Sequence, residues 1–338
     1  RIQNRYWSEL RAEPLGDTRF RHLTAADLVS KQLEELWNRV SRPGDRLALA
    51  VPGYMGTENL GLMLGIAMEL DIPVAAMVDA AVAATRRHYV NAVPVHVDLG
   101  LHAAMLTRLS QDGQVQFERG AVIDASGMLS LYDVWLRLIA ETFVQQSRFD
   151  PLHTAETEQV LQDSILDWLQ IAASQDSVAM KVVYRGISHD AEIESLQLVS
   201  AAEPVYRNIA SNLRALIRGG ETPAIQLSDR AARMPGLAET LKARVGGEIF
   251  VLEPGATARG LAARCPENRS GSAVTLVRHL PWDQSPVHVE LDHDHEGSTR
   301  PTHVLLGNNA TPIDSSLLLL GTHPDAGERW LDLQQDMP

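Results

Sequence analysis

The sequence has one cysteine, Cys265, in 338 residues, which excludes an intramolecular disulfide and any cysteine-rich zinc module. Basic side chains are short as well. There are 30 Lys and Arg against 43 Asp and Glu, and a formal charge of −13 argues against a nucleic-acid binder, which carries a basic face. Long apolar runs are missing. The most apolar stretch, residues 60–84, is broken by Glu69, Asp71, Pro73 and Asp79, each costly inside a bilayer, so no membrane span is predicted. The opening residues, RIQNRYWSEL, have no apolar signal-peptide core and no methionine, so a cytoplasmic location and further residues upstream are expected. No Walker loop, dinucleotide fingerprint or Ser-His-Asp elbow appears. Gly53 and Gly56 straddle a turn, but no Walker lysine follows.

What is present is ordinary for a folded protein: 45% apolar and 22% charged residues exclude wholesale disorder, and the length corresponds to roughly two domains. Residues 23–40 place Leu23, Leu28, Leu33, Leu36 and Val40 on one helical stripe, with Thr24 as N-cap and Asp27 three residues on in a loose capping box. LALAVP (47–52) has the continuous apolar character of a strand buried on both faces. A helix over 56–70 follows, with Leu60, Met63, Leu64, Ala67 and Met68 inward. A second buried strand over 73–78 and a helix over 80–89 complete a strand–helix alternation, which indicates a covered, largely parallel sheet.

The pattern then changes to three strand-like runs, 93–101, 103–111 and 114–124, the last two joined by an Asp112-Gly113 hairpin turn. Two long helices are predicted over 129–146 and 154–174. Strands are predicted at VAMKVVYRG and AEIESLQL, then a helix over 201–218 ending at Gly219-Gly220. AIQLS and EIFVLE are short strands, and 236–245 and 255–265 are helices. From Pro266 the composition shifts to Pro, Gly, Ser, Asp and His with isolated strand runs AVTLVRHL, VHVEL, THVLLG and SLLLLG, a β-rich extension.

Four segments carry a resemblance that runs from Leu23 to about Arg264: LALAVPGYMGTENLGLMLGIAMELDI, MVDAAVAA, VHVDLGLHAAML and the stretch from AIQLSDRAARMPG to GATARGLAARC. In order and spacing they resemble the actin-like ATPase superfamily, and most closely the nucleotide-binding domain of seventy-kilodalton heat-shock chaperones. The resemblance implies a two-lobed actin-like (ribonuclease H-like) α/β ATPase fold with the β-rich extension attached. The implied divisions are 1–90 as the remainder of a first lobe, 91–220 as a second lobe, 221–265 as an adenosine-type segment with a closing helix, and 266–338 as the extension. The family's first phosphate loop and catalytic lysine would lie upstream of residue 1.

The departures from the family pattern are informative, because glycines in a phosphate loop let backbone N–H groups approach the oxygens. Asp98, Leu99 and Gly100 stand where the family has Asp-Leu-Gly, but Leu101, His102 and Ala103 replace Gly-Gly-Thr. In the adenosine turn Ser228, Asp229 and Arg230 replace a glycine pair and serine, which puts bulk and negative charge where purine and ribose would lie. Asp79 keeps in kind the acidic residue of the connecting helix. Arg233 and Pro235 keep an Arg-x-Pro, and Pro254, Gly255 and Gly260 keep the start of the last helix and a close-packing glycine. In an active member Asp79 and Asp98 would be catalytic, and Gly100, Leu101, His102, Ser228, Asp229, Arg230 and Gly255 would line the nucleotide cleft for ATP and magnesium. With these substitutions the resemblance implies a pseudo-ATPase with a protein partner, in a binding or scaffolding role. The alternatives are an active chaperone-like ATPase and a structural subunit of a bacterial assembly.

Each candidate residue also has a plainer role. Asp98 either orients a metal-bound water or caps the turn after its strand, and Asp79 either takes part in chemistry or caps the following helix. His102 is either an acid–base group beside Asp98 or a half-exposed packing residue. His288, Asp292, His293, Asp294 and His295 form either a metal cluster or a solvated acidic turn, and Cys265 fits a packing role. Finally, THVLLGNNATPIDSSLLLLGTHPDAGERWLDLQQDMP resembles the opening strands of a forkhead-associated domain. It has Gly321-Thr322 where that family has Gly-Arg, and its Ser-x-x-His segment does not appear.

Overall fold

The computed structural model describes residues 4–15, 20, 22–266 and 274–289, together with the backbone of strands at 303–306, 309–312, 318–319 and 330–331. Contacts divide the chain into two units, Arg1–Leu291 and Asp292–Pro338.

Helix α1 (Ala25–Val40) begins in the expected capping box. The Thr24 hydroxyl accepts from the Asp27 N–H at 3.1 Å, and the Asp27 carboxylate accepts from the Thr24 N–H at 2.7 Å. Its buried stripe is Ala25, Val29 and Leu33. Leu36 and Val40, expected inward, are exposed, because the last turn packs Trp37 against the core instead. Strand β1 (Leu47–Val51), helix α2 (Thr57–Glu69), strand β2 (Val74–Asp79) and a five-residue helix α3 (Ala80–Ala84) follow. In α2 the inward residues are Leu60, Met63, Ile66 and Ala67, and Met68 is 77% exposed, which corrects the expected face. Helix α3 stops well short of the expected residue 89. The Thr85 hydroxyl turns back to the carbonyl of Ala81 at 2.9 Å, and β3 (Tyr89–Val90) comes next.

Strands β4 (Val93–Leu99), β5 (Ala103–Ser110) and β6 (Val115–Asp124) form the expected meander, with Gly113 at φ 73° in the hairpin turn. Helices α4 (Met128–Ser147) and α5 (Ala155–Ala172) lead to a hairpin of β7 (Ser177–Tyr184) and β8 (Ile187–Glu194), turned by Arg185 and Gly186, both at positive φ. Helix α6 (Ser195–Arg214) begins six residues before the sequence expectation, so AEIESLQL is half strand and half helix. The rest of the first unit is β9 (Pro223–Leu227), α7 (Asp229–Ala232), α8 (Leu237–Val245), β10 (Glu248–Val251), α9 (Ala256–Ala263), β11 (Leu276–Val277), β12 (His279–Leu280) and β13 (Val287–His288).

These strands make a three-stranded parallel sheet, β1-β2-β11, and a six-stranded mixed sheet ordered β10-β9-β4-β5-β6-β12. In the larger sheet β10, β9 and β4 are parallel, while β5, β6 and β12 alternate in direction beyond β4. β2 is central and buried. β1 is an edge strand, so it is half-buried over most of its length instead of buried on both faces as expected. The segment after Pro266 contributes β11 to the smaller sheet, β12 to the larger, and β13 to a pair with β3.

The main core lies on one face of the larger sheet. Val95, Val97, Leu99, Ile225 and Leu227 pack there against α4, α6 and α8 around Trp135, Phe143 and Tyr206. The buried polar tips are satisfied by backbone: Trp135 Nε1 donates to the Leu198 carbonyl and the Tyr206 hydroxyl to that of Pro235, both at 2.8 Å. A separate cluster of α3 alanines with Val78, Leu109 and Leu261 joins residues of both sheets. In the second unit, β14 (His303–Leu306) pairs antiparallel with β15 (Asn309–Pro312), and β16 (Leu318–Leu319) pairs with β17 (Trp330–Leu331).

Candidate functional site

In an open α/β sheet, ligands bind beyond the carboxyl ends of parallel strands, where the strand order changes direction. Here that place lies after β4, β9 and β10. Asp98 stands near the end of β4, Ser228 follows β9, and Leu252 and Glu253 follow β10. With Asp229, Arg230, Gly255 and Thr257 they line a cavity of about 280 Å³. The fold therefore brings five of the nine sequence-predicted residues together: Asp98, Ser228, Asp229, Arg230 and Gly255. Asp79, Gly100, Leu101 and His102 do not line it.

The cavity's charges are matched from within the chain. Arg230 Nη2 bridges both carboxylate oxygens of Asp98 at 2.9 and 3.1 Å, with the Asp98 side chain 15% exposed and that of Arg230 55%. Asp229 pairs with Arg233 at 2.8 Å, and Glu253 with Arg259 at 2.9 Å. Ser228 spends its hydroxyl as the N-cap of α7, accepting from the Ala231 N–H at 3.3 Å. Gly255, at φ 74°, turns the chain into α9. Tyr54, from the loop after β1, is within electrostatic reach of the pair. Burial raises its hydroxyl pKa, Arg230 pulls it down and Asp98 pushes it up.

The turn between β4 and β5 is also taken up by the fold. Gly100 N–H donates to the Ala103 carbonyl, and the carbonyls of Gly100 and Leu101 accept from Met128 and Leu129, so this turn caps the start of α4. The backbones approach so closely that a Cβ on Gly127 would lie 2.5 Å from the Ala103 nitrogen. Leu101 is 41% exposed, and His102 Nε2 donates to the Asn4 carbonyl at 3.3 Å. Asp79 is buried, and its Oδ1 accepts from the N–H groups of Ala81 at 2.9 Å and Val82 at 3.2 Å. It is the cap of α3. Burial raises its carboxyl pKa, against those two N–H groups and Arg278, which lower it.

Two features escaped the sequence reading. His96 and Gln226 are register neighbours on β4 and β9, on the same face as Asp98 and Ser228. Gln226 Oε1 accepts from the Thr85 hydroxyl at 3.0 Å, and the Nε2 atoms of both residues are buried with no partner among the described residues. The signal was the two-residue spacing of His96 and Asp98 in PVHVDL. Arg264 is the other. Its buried guanidinium donates to the carbonyls of Gly260, Thr85 and Pro281 at 2.9–3.1 Å and also reaches those of Val82 and Ala83, which ties α9 to the end of α3. A Cβ on Gly260 would overlap the Ala83 carbonyl oxygen, so glycine permits this crossing.

Cys265 is a free, half-buried thiol, and His288 is exposed on β13. Asp292, His293, Asp294, His295, Gly321 and Thr322 lie outside the described residues. Among the described residues no group of three or more His, Cys, Asp or Glu side chains is placed to hold a metal ion, and no helix is long and apolar enough to cross a membrane. These features define a mixed α/β protein with a self-paired cavity at the carboxyl ends of its parallel strands. No protein-family model matches the chain, and no curated protein matches it in sequence.

Proposed function

We propose that this chain is a heat-shock-chaperone-like member of the actin-like ATPase superfamily whose nucleotide cleft is closed. It acts by binding or scaffolding a protein partner in the cytoplasm and not by turnover. The strand order supports the fold reading: a three-strand meander continued by two parallel strands on the far side of its first strand. A close crossing of α3 and α9 beside both sheets supports it too. The observation that carries the functional reading is the Asp98–Arg230 pair.

ATP and magnesium do not fit the residues present. A nucleotide at this cavity would bring phosphates against Asp98, Asp229 and Glu253, and would compete with Asp98 for Arg230. A phosphate would need N–H groups of the β4–β5 turn, and that of Gly100 is already given to the Ala103 carbonyl. Asp79 is committed to α3.

Thermal melting of the full chain with and without millimolar Mg-ATP tests the reading. A ligand at a hundred times its Kd stabilises by about 2.7 kcal/mol. The expected result is no change in Tm, and a rise of several degrees would overturn the closed-cleft reading.

A further inference from the structure

A second cavity, of about 420 Å³, opens beside β10. Among the described residues this strand is the last in its sheet and pairs only with β9. Leu252 N–H bonds the Leu227 carbonyl, so strand alternation turns the N–H and C=O groups of Ile249 and Val251 away from β9. Both residues line the cavity, and Val251 is 63% exposed. The apolar floor is Phe250 against Tyr89, ring centroids 4.8 Å apart at 66°.

The charges around this floor do not cancel. Arg86 is held by Asp283, its Nε 3.1 Å from each carboxylate oxygen, and Glu253 is held by Arg259. Arg87 is half-buried on the cavity wall, and both its Nε and Nη2 donate to one neutral acceptor, Gln284 Oε1, at 3.2 and 2.8 Å. Among the described residues no carboxylate pairs with it. In a chain of net charge −13, a strand edge unpaired among the described residues thus sits beside a guanidinium with no described carboxylate on it.

We propose that the outer edge of β10 receives an extended acidic segment of a partner protein, which adds as a further strand and sets a carboxylate on Arg87. Backbone groups of Ile249 and Val251 supply the ladder, and the Phe250–Tyr89 floor takes apolar side chains of one parity. Arg87 fixes register and selects sign, because a planar guanidinium binds a carboxylate through paired donors. The site uses neither Asp98 nor Arg230, so it stands or falls separately from the closed cleft.

The test is fluorescence anisotropy on the full chain with labelled octapeptides of alternating threonine and valine, carrying glutamate, glutamine or lysine at the fifth position. The glutamate peptide is expected to bind at least about tenfold more tightly than the glutamine peptide, and the lysine peptide not to saturate. Arg87→Gln should abolish that discrimination. Val251→Pro, which removes an outward N–H and leaves the bonds to β9, should weaken binding of every peptide. In the wild type, hydrogen exchange at the Ile249 and Val251 amides should slow when the glutamate peptide is bound, a readout independent of either variant. The proposal is overturned by equal binding of glutamate and lysine peptides, by discrimination that survives Arg87→Gln, by unchanged exchange at those amides, or by no saturable binding of the glutamate peptide at millimolar concentration.

Discussion

The crossing of α3 and α9 makes Gly260→Ala a sharp test of the packing. Glycine in a helix interior is normally a liability, and alanine there gains up to about 1 kcal/mol. At Gly260 the added Cβ would lie 3.1 Å from the Ala83 carbonyl carbon, 3.0 Å from Arg264 Nη2, and inside the envelope of the Ala83 oxygen. Those neighbours are backbone and a buried guanidinium, so the helices must separate. Overpacking of this kind costs about 1–3 kcal/mol. Separation also loosens the hydrogen bonds from Arg264 to the end of α3, and a bond to a charged group contributes about 1.5–3 kcal/mol. After the propensity gain, the net loss is roughly 2–5 kcal/mol. Gly61 and Gly65 of α2 are the controls. Both are exposed, and an added Cβ would meet nothing within 4 Å, so alanine at each should stabilise by about 0.5–1 kcal/mol. Urea unfolding followed by far-UV circular dichroism reads all three, as midpoint shifts at constant m. A Gly260→Ala variant as stable as the wild type, or a destabilised Gly61→Ala, would refute the reasoning.

Two further outcomes concern buried titratable groups. Burial holds the His96 pKa below its ordinary 6.5, with Asp98 opposing and Arg230 assisting. The unfolded chain therefore takes up a proton first, and stability that is complete above pH 6.5 is lost as pH falls toward the folded value. The urea midpoint should drop between pH 7.5 and 5.5, and His96→Gln should flatten that drop; an equal slope in the variant would contradict it. Asp79 has the opposite sign. Its carboxyl pKa is raised above 3.8, so its contribution is complete below pH 3.8 and is lost as pH rises through the folded value. Relative to Asp79→Asn the wild type should therefore gain stability on acidification. Asp79→Ala, which removes the cap, should cost about 1 kcal/mol at neutral pH. A pH-independent difference between wild type and Asp79→Asn would contradict the effect of burial, and an innocuous Asp79→Ala would count against the capping role.

Local chemistry was legible in the sequence wherever a few neighbouring residues decide the outcome. The Thr24–Asp27 capping box, the Asp112-Gly113 turn and the strand–helix alternation after Leu47 are all of this kind. Gly260 was singled out as a close-packing glycine, and the close approach to Ala83 accounts for it. What was hidden depends on partners far along the chain. Leu36, Val40 and Met68 have the hydrophobicity of core residues but lie where no described element covers them. β11, β12 and β13 are two-residue strands whose pairings with β2, β6 and β3 no local pattern encodes. The same distance hid the state of the cavity. Asp98 and Arg230 were each named, but their pairing across 132 residues turns two candidate ligand contacts into one internal contact. The role of Arg264 is not legible locally, because its carbonyl acceptors at Thr85 and Pro281 belong to other segments.

The charges lining the cleft at the ends of β4, β9 and β10 are paired within the chain, and the proposed reading is that this leaves no site for a nucleotide. Titration calorimetry of Mg-ATP into the full chain tests it most directly. The expected isotherm shows dilution heat alone. Saturable one-to-one binding tighter than about 1 mM, near −4.1 kcal/mol, would contradict it.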